Sequence, residues 1–205
     1  LRMPVVRSLA DADGTFDVVF LAVKAHQLHA PATDPALTLR VHSGTTFVTL
    51  QNGIPWFAFL ERRGGPLAGT RLTSVDPDGA LERAFPTRQV VGAIAMPACS
   101  MPRPGVITHE SGWHLPVSNT NPLRARELQR LMEPAGFRLT LHDDFLEELW
   151  VKSLGSAVFN PASALTGATL GQLVSPRGEA LVRAAMDEVR VVAEASMGGG
   201  KRLRV

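Results

Sequence analysis

The chain has 205 residues, 45% hydrophobic and 20% charged, which is enough apolar material for one generous core or two modest domains. A formal net charge of +2 with scattered Lys and Arg makes no basic stripe and argues against nucleic-acid binding. The single cysteine, Cys99, excludes an internal disulfide and suits a cytoplasmic protein, and the apolar runs are too short for a membrane span.

Phe16–Val23 is a continuous apolar run of strand length, as expected of a parallel strand covered on both faces. A helix is predicted from Lys24 to about Leu39, broken at Pro31 and Pro35. Thr45–Leu50 is a second buried strand, and the spacing between the two strands fits one βαβ crossover. A short helix is predicted from Ile54 to about Arg62, then a looping stretch, then a strand from Gln89 to Ala95. Gly105–Glu110 and Trp113–Val117 read as a hairpin about Ser111-Gly112. Pro122–Met132 is a predicted helix and Arg138–Leu141 a last strand. From there the pattern turns helical. Asp143 or Asp144 caps a helix through Trp150 and Lys152, more helix follows to Leu165, and a long helix runs from about Pro176 to Met197, stopped by Gly198-Gly199-Gly200. The fold class predicted is α/β: a partial Rossmann-like dinucleotide-binding domain over residues 1–142, followed by an all-helical domain over 143–205.

Polar residues follow both early strands: Lys24 and Gln27 after the first, Gln51-Asn52-Gly53 after the second. Ligands of open α/β sheets bind beyond the carboxyl ends of strands, so these positions are candidates. Asn52-Gly53 is equally readable as an ordinary turn, and Lys24 as a solvated side chain. Lys152, Ser156 and Asn160 recur at i, i+4 and i+8, which puts them on one helix face among the small residues Gly155 and Ala157. A lysine in such a groove suits a general acid, and an asparagine can both donate to and accept from a keto or hydroxy acid. On spacing alone, a solvated lysine and an asparagine before a helix-breaking proline explain the pattern too. His26 with His29, or His109 with His114 across the hairpin, lack further ligands at metal spacing, so no metal is expected. Cys99 reads as a packing residue.

Four segments in register resemble the ketopantoate reductases (2-dehydropantoate 2-reductases). These are Phe20–Gln27, the Leu50–Trp56 stretch around Gln51-Asn52-Gly53, Pro104–His109, and Trp150-x-Lys152 through Asn160-Pro161 to Leu165. The resemblance implies NADPH-dependent reduction of 2-dehydropantoate to (R)-pantoate, a step toward pantothenate and coenzyme A. It implies Lys152 as the acid that protonates the ketone oxygen, Asn160 and Ser156 at the substrate, Asn52 at substrate and nicotinamide ribose, and Lys24 and Gln27 on the adenosine side of NADPH. The partner implied is a small 2-oxo acid, and a homodimer is compatible with the chain.

Three departures stand out. The family's glycine-rich G-x-G-x-x-G turn, carried by an upstream βαβ unit of about 30 residues or more, is absent. Ser156 stands where the family usually has asparagine. The family's further helices, with a substrate-binding serine and a glutamate, do not follow Val205. The resemblance therefore implies a fragment or truncation that is inactive alone. The alternatives are a reductase of a different 2-oxo acid on the same plan, or an inactive remnant serving as a binding module.

Overall fold

The computed structural model describes residues 4–204. The chain forms two compact units. One runs to Gln51 and resumes over Leu72–Asp143; the other comprises Asn52–Arg71 and the chain from Asp144 onward.

The first unit is built on a parallel sheet of β1 (Val18–Leu21), β2 (Thr46–Thr49) and β3 (Val90–Gly92), in that order. Register pairs Leu21 with Thr49 and Thr49 with Gly92, so the three strands end together at one edge. Successive strand residues face opposite sides, and Phe47 and Val48 are both 1% exposed, so β2 is covered on both faces. On one face Phe47 meets Phe85 edge to face at 5.0 Å. On the other, Val48 and Val91 join Leu115, Val117, Ala125, Leu128 and Leu139 in a core. β1 is shorter than its apolar run, and it is not sealed on both sides: Phe20 is 40% exposed at this sheet edge.

Between β1 and β2 the predicted single helix is three short pieces, a 3₁₀ turn (Ala25–Gln27), α1 (His29–Thr33) and α2 (Leu37–Arg40). Pro35 does separate α1 from α2. Pro31 breaks nothing, because it stands in the first turn of α1, where no intrahelical donor is needed. After β2 and the excursion into the second unit comes α3 (Ala80–Ala84).

The predicted hairpin is displaced. β4 (Ala98–Arg103) pairs antiparallel with β5 (Val106–Ser111) about Pro104-Gly105, not about Ser111-Gly112. β6 (His114–Ser118) instead pairs in parallel with β7 (Arg138–His142), with α4 (Pro122–Met132) between them. A bridge between Ala93 and Val117 joins β3 to β6. His109 and His114 consequently do not face each other: His109 Nε2 lies 2.7 Å from the Gly112 carbonyl, and His114 Nε2 lies 2.8 Å from Thr140 Oγ1. Arg124 of α4 donates to the carbonyls of Ser43, Gly44, Thr45 and Arg88 and to Thr46 Oγ1, which pins the helix to the amino end of β2.

The second unit contains α5 (Phe145–Thr166), α6 (Leu170–Leu173) and α7 (Glu179–Met197). Val158, Leu173 and Val182 form a core with Phe159, Met186 and Val189 packed against it. α6, which the sequence reading missed, is held by a capping box: Gln172 N–H donates to Thr169 Oγ1 and Thr169 N–H to Gln172 Oε1. The helix predicted over 54–62 does not form: residues 56–61 are turns, with separate bonds from Ala58 to Pro55, Leu60 to Phe57 and Arg62 to Phe59. Trp56 and Phe59 are buried all the same, so burial sets this path without helical bonding.

Asp144 occupies the N-cap position of α5, yet its side chain makes no capping bond. It accepts instead from Lys201 Nζ at 2.5 Å and Arg62 Nη1 at 3.4 Å. Burial opposes its charge, but Lys201 and then Arg62 outweigh that and hold the carboxyl below its ordinary range. A carboxylate with a depressed folded pKa stabilises the fold above its ordinary pKa, and that contribution is lost as pH falls through the folded value. Asp144→Asn is therefore expected to cost about 1 kcal/mol at neutral pH, since partial exposure screens the pair. Urea melts of both proteins check this; the difference should close as pH drops below the model-compound value of 3.8.

Candidate functional site

Lys24 and Asn52 each stand three residues beyond the end of their strand, β1 and β2 respectively. Lys24 is exposed, and its N–H donates to Gln27 Oε1 at 2.9 Å, while Gln27 N–H donates back to the Lys24 carbonyl at 2.8 Å. The two residues thus close one turn at the carboxyl edge of the sheet. Asn52 is exposed, and the following Gly53 adopts φ +93°, a left-handed conformation that suits glycine. A Cβ built on Gly53 would have no neighbour within 4 Å, so the backbone here is open to an approaching group.

Lys152, Ser156 and Asn160 all lie on α5, as their spacing predicts. Lys152 is half-buried and, among the described residues, forms no ion pair or hydrogen bond. Among those residues no carboxylate neutralises its ammonium. Ser156 is also half-buried, and its hydroxyl donates to the Lys152 carbonyl at 2.9 Å. That bond engages the only proton of the hydroxyl, so its oxygen is left with acceptor capacity alone. Asn160 is exposed. Gly155 has nothing within 4 Å of a built Cβ, which leaves open space beside Lys152 and Ser156.

Pro161 does not break α5, which continues to Thr166 and ends at Gly167 with φ +68°. The helix keeps Asn160 one turn beyond Ser156 on the shared face. Proline has no N–H, so it cannot bond back to the Ala157 carbonyl, and this part of the helix surface gains an acceptor.

The structure thus brings Lys24 and Gln27 together in the first unit. It brings Lys152, Ser156 and Asn160 together in the second, to which Asn52 also belongs. Gln51 was missed as an individual contributor. Its Nε2 donates to the carbonyls of Leu21 and Val23, the latter at 3.0 Å, and so ties the exits of β1 and β2. A polar residue directly after a buried strand was the available signal. Among the described residues, no group of three or more His, Cys, Asp or Glu side chains is placed to hold a metal ion. No helix among them is long and apolar enough to cross a membrane.

The family profile described as "Ketopantoate reductase PanE/ApbA" matches residues 1–119, and "Ketopantoate reductase PanE/ApbA C terminal" matches residues 144–198. A 2-dehydropantoate 2-reductase of Mesorhizobium japonicum is 40% identical over 198 residues, covering 94% of this chain and 60% of that protein. The chain therefore spans 60% of that relative's length. A crystal structure from Ralstonia solanacearum MolK2, assigned as a ketopantoate reductase, superposes with a TM-score of 0.79 at 34% identity, covering 90% of this chain and 57% of the other. A ternary structure of D-mandelate dehydrogenase with NADH and anilino(oxo)acetate shares the fold at 15% identity and a TM-score of 0.71, covering 94% of this chain and 57% of the other. With both halves matched and 119 of its residues under the first profile, the chain belongs to the ketopantoate reductase family, in which an α/β Rossmann-like domain precedes a helical one.

Proposed function

We propose that the protein bearing this chain reduces 2-dehydropantoate to (R)-pantoate with NADPH, in the cytoplasm and on the route to pantothenate and coenzyme A. The observation that carries the reading is the α5 face: a half-buried Lys152, unpaired among the described residues, one turn from Ser156 and two from Asn160, inside the segment matched by the family's C-terminal profile. In this reading the α/β part, residues 1–142, holds the nucleotide and the helical part, residues 143–205, supplies the substrate face.

The residues present fit a nicotinamide dinucleotide. The exposed ammonium of Lys24 suits a phosphate or ribose at the sheet edge, and Gln27 fixes the turn that presents it. The open backbone at Gly53 lets a flat ring or ribose lie against it, with Asn52 beside it to bond a hydroxyl. Bound NADPH would supply the hydride. Lys152 holds a proton for the ketone oxygen, whose negative charge grows as reduction proceeds, and its ammonium stabilises that charge. Asn160 donates to and accepts from the substrate's polar groups, while Ser156 accepts from a substrate hydroxyl directly or through water.

A second reading, a related 2-oxo-acid reductase, is favoured by the fold shared with D-mandelate dehydrogenase and by the engaged hydroxyl of Ser156. Titration with NADPH, followed by nucleotide fluorescence, tests the enzyme reading against an inactive binding remnant. Saturable binding that 2-dehydropantoate tightens is expected. A protein that binds neither nucleotide nor oxo acid would contradict it.

A further inference from the structure

Gln51 stands two residues past the end of β2, and its side chain crosses to the neighbouring strand. Nε2 donates to the carbonyl of Leu21, the last residue of β1, and to that of Val23, which precedes Lys24. Both partners are carbonyls, which can only accept, so the orientation of the amide is fixed. Its Oε1 is left buried and meets no donor among the described residues. An amide oxygen in that position destabilises the fold. Strand pairing does not require it, because the ladder from Val18–Thr46 to Leu21–Thr49 is complete before Gln51.

The two Gln51 bonds therefore act beyond the ladder, on the backbone that leads into the Lys24 turn. There the Lys24 N–H donates to Gln27 Oε1 and the Gln27 N–H to the Lys24 carbonyl. One glutamine anchors the entrance of the turn and the other closes it.

We propose that Gln51 is a positioning residue for nucleotide binding, holding the exit of β1 so that the Lys24–Gln27 turn is formed before the nucleotide arrives. This rests on the reading that the turn contacts a nicotinamide dinucleotide. A preformed turn spares the ligand the cost of ordering it, so the loss should appear in affinity.

Two substitutions separate this role from a general structural one. Gln51→Met removes both donors and also the unpartnered oxygen, so overall stability should hardly change. Gln51→Glu keeps the shape but turns a carboxylate toward two carbonyls, and protonation at low pH returns one donor. Amide exchange of residues 22–28 is expected to quicken about tenfold in Gln51→Met while exchange in α4 and β7 stays the same. The Kd for NADPH is expected to rise about tenfold in Gln51→Met, and in Gln51→Glu at neutral pH. The Gln51→Glu defect should shrink as pH falls toward the ordinary carboxylate pKa.

Unchanged exchange in residues 22–28 would overturn the proposal. So would faster exchange with a wild-type Kd, since Gln51 would then be only an anchor. Failure of the unmodified protein to bind NADPH is a distinct result: it would remove the function proposed above, and this role with it.

Discussion

Replacing Lys152 with alanine is expected to lower turnover of 2-dehydropantoate by about 10²–10⁴-fold, the usual contribution of a positioned general acid. NADPH affinity should stay within about twofold, because the α5 face is assigned to the oxo acid and the Lys24 turn to the nucleotide. Lys152 is half-buried and unpaired among the described residues, so its removal breaks no ion pair. The fold should then survive, and a loss of rate can be read as a loss of transition-state stabilisation. Lys152→Arg keeps the charge but moves and spreads it, so it should recover only part of the rate. Stopped-flow single turnovers with NADPH bound separate chemistry from binding. A Lys152→Ala protein with near-normal turnover would remove Lys152 from the mechanism.

Asp76→Ala is expected to be the most damaging single change outside the site. Asp76 is 0% exposed, and its carboxylate accepts from Leu81 N–H at 3.0 Å and Glu82 N–H at 3.1 Å. These are free donors in the first turn of α3, where the cap residue itself, Gly79, has no side chain to offer. Hydrogen bonds to a charged group contribute more than neutral ones, and alanine would take the acceptor from both donors, the one at Leu81 buried and the one at Glu82 part-buried. The expected loss is about 3 kcal/mol. For a chain of this size that corresponds to a fall in Tm of roughly 6–12 °C. Asp76→Asn should keep one acceptor and lose less. Calorimetry on both variants checks the order, and a normal Tm in Asp76→Ala would contradict the capping role.

Where the sequence carried a strong local signal, the structure follows it. β2 is a short β-rich apolar run, and α4 begins on Pro122 and shows helical periodicity to Met132. The i, i+4, i+8 spacing sets Lys152, Ser156 and Asn160 on one face because α5 is continuous from Phe145 through all three. The hairpin was less legible. Gly105 and Gly112 both have positive φ, so both are real turns, and turn residues alone do not say which flanking strands pair. β4 is exposed along its whole length and has no buried face to produce an alternating pattern. β6 pairs in parallel with β7, which lies beyond α4, so its partner is not the strand just before it, from which Gly112 turns. In residues 54–62, Trp56 and Phe59 at a spacing of three imitate a helix, but they are buried from a chain of turns.

The same distance in sequence hid two anchoring side chains. Gln51 bonds carbonyls about 30 residues away and Arg124 bonds carbonyls about 80 away, and no local pattern marks either as a clamp. Sequence spacing could suggest which residues share a face, but not which backbone groups those residues hold.

The protein bearing this chain is expected to reduce 2-dehydropantoate with NADPH in preference to other 2-oxo acids, with the α5 face selecting the acid. Steady-state kcat/KM, followed by NADPH oxidation, tests it most directly, with 2-dehydropantoate set against pyruvate and a branched 2-oxo acid that lacks the substrate's hydroxyl. The highest kcat/KM is expected for 2-dehydropantoate, by at least about tenfold, because a site that bonds a hydroxyl discriminates against an analogue without one. Equal values for all three acids, or a preference for one without the hydroxyl, would contradict it.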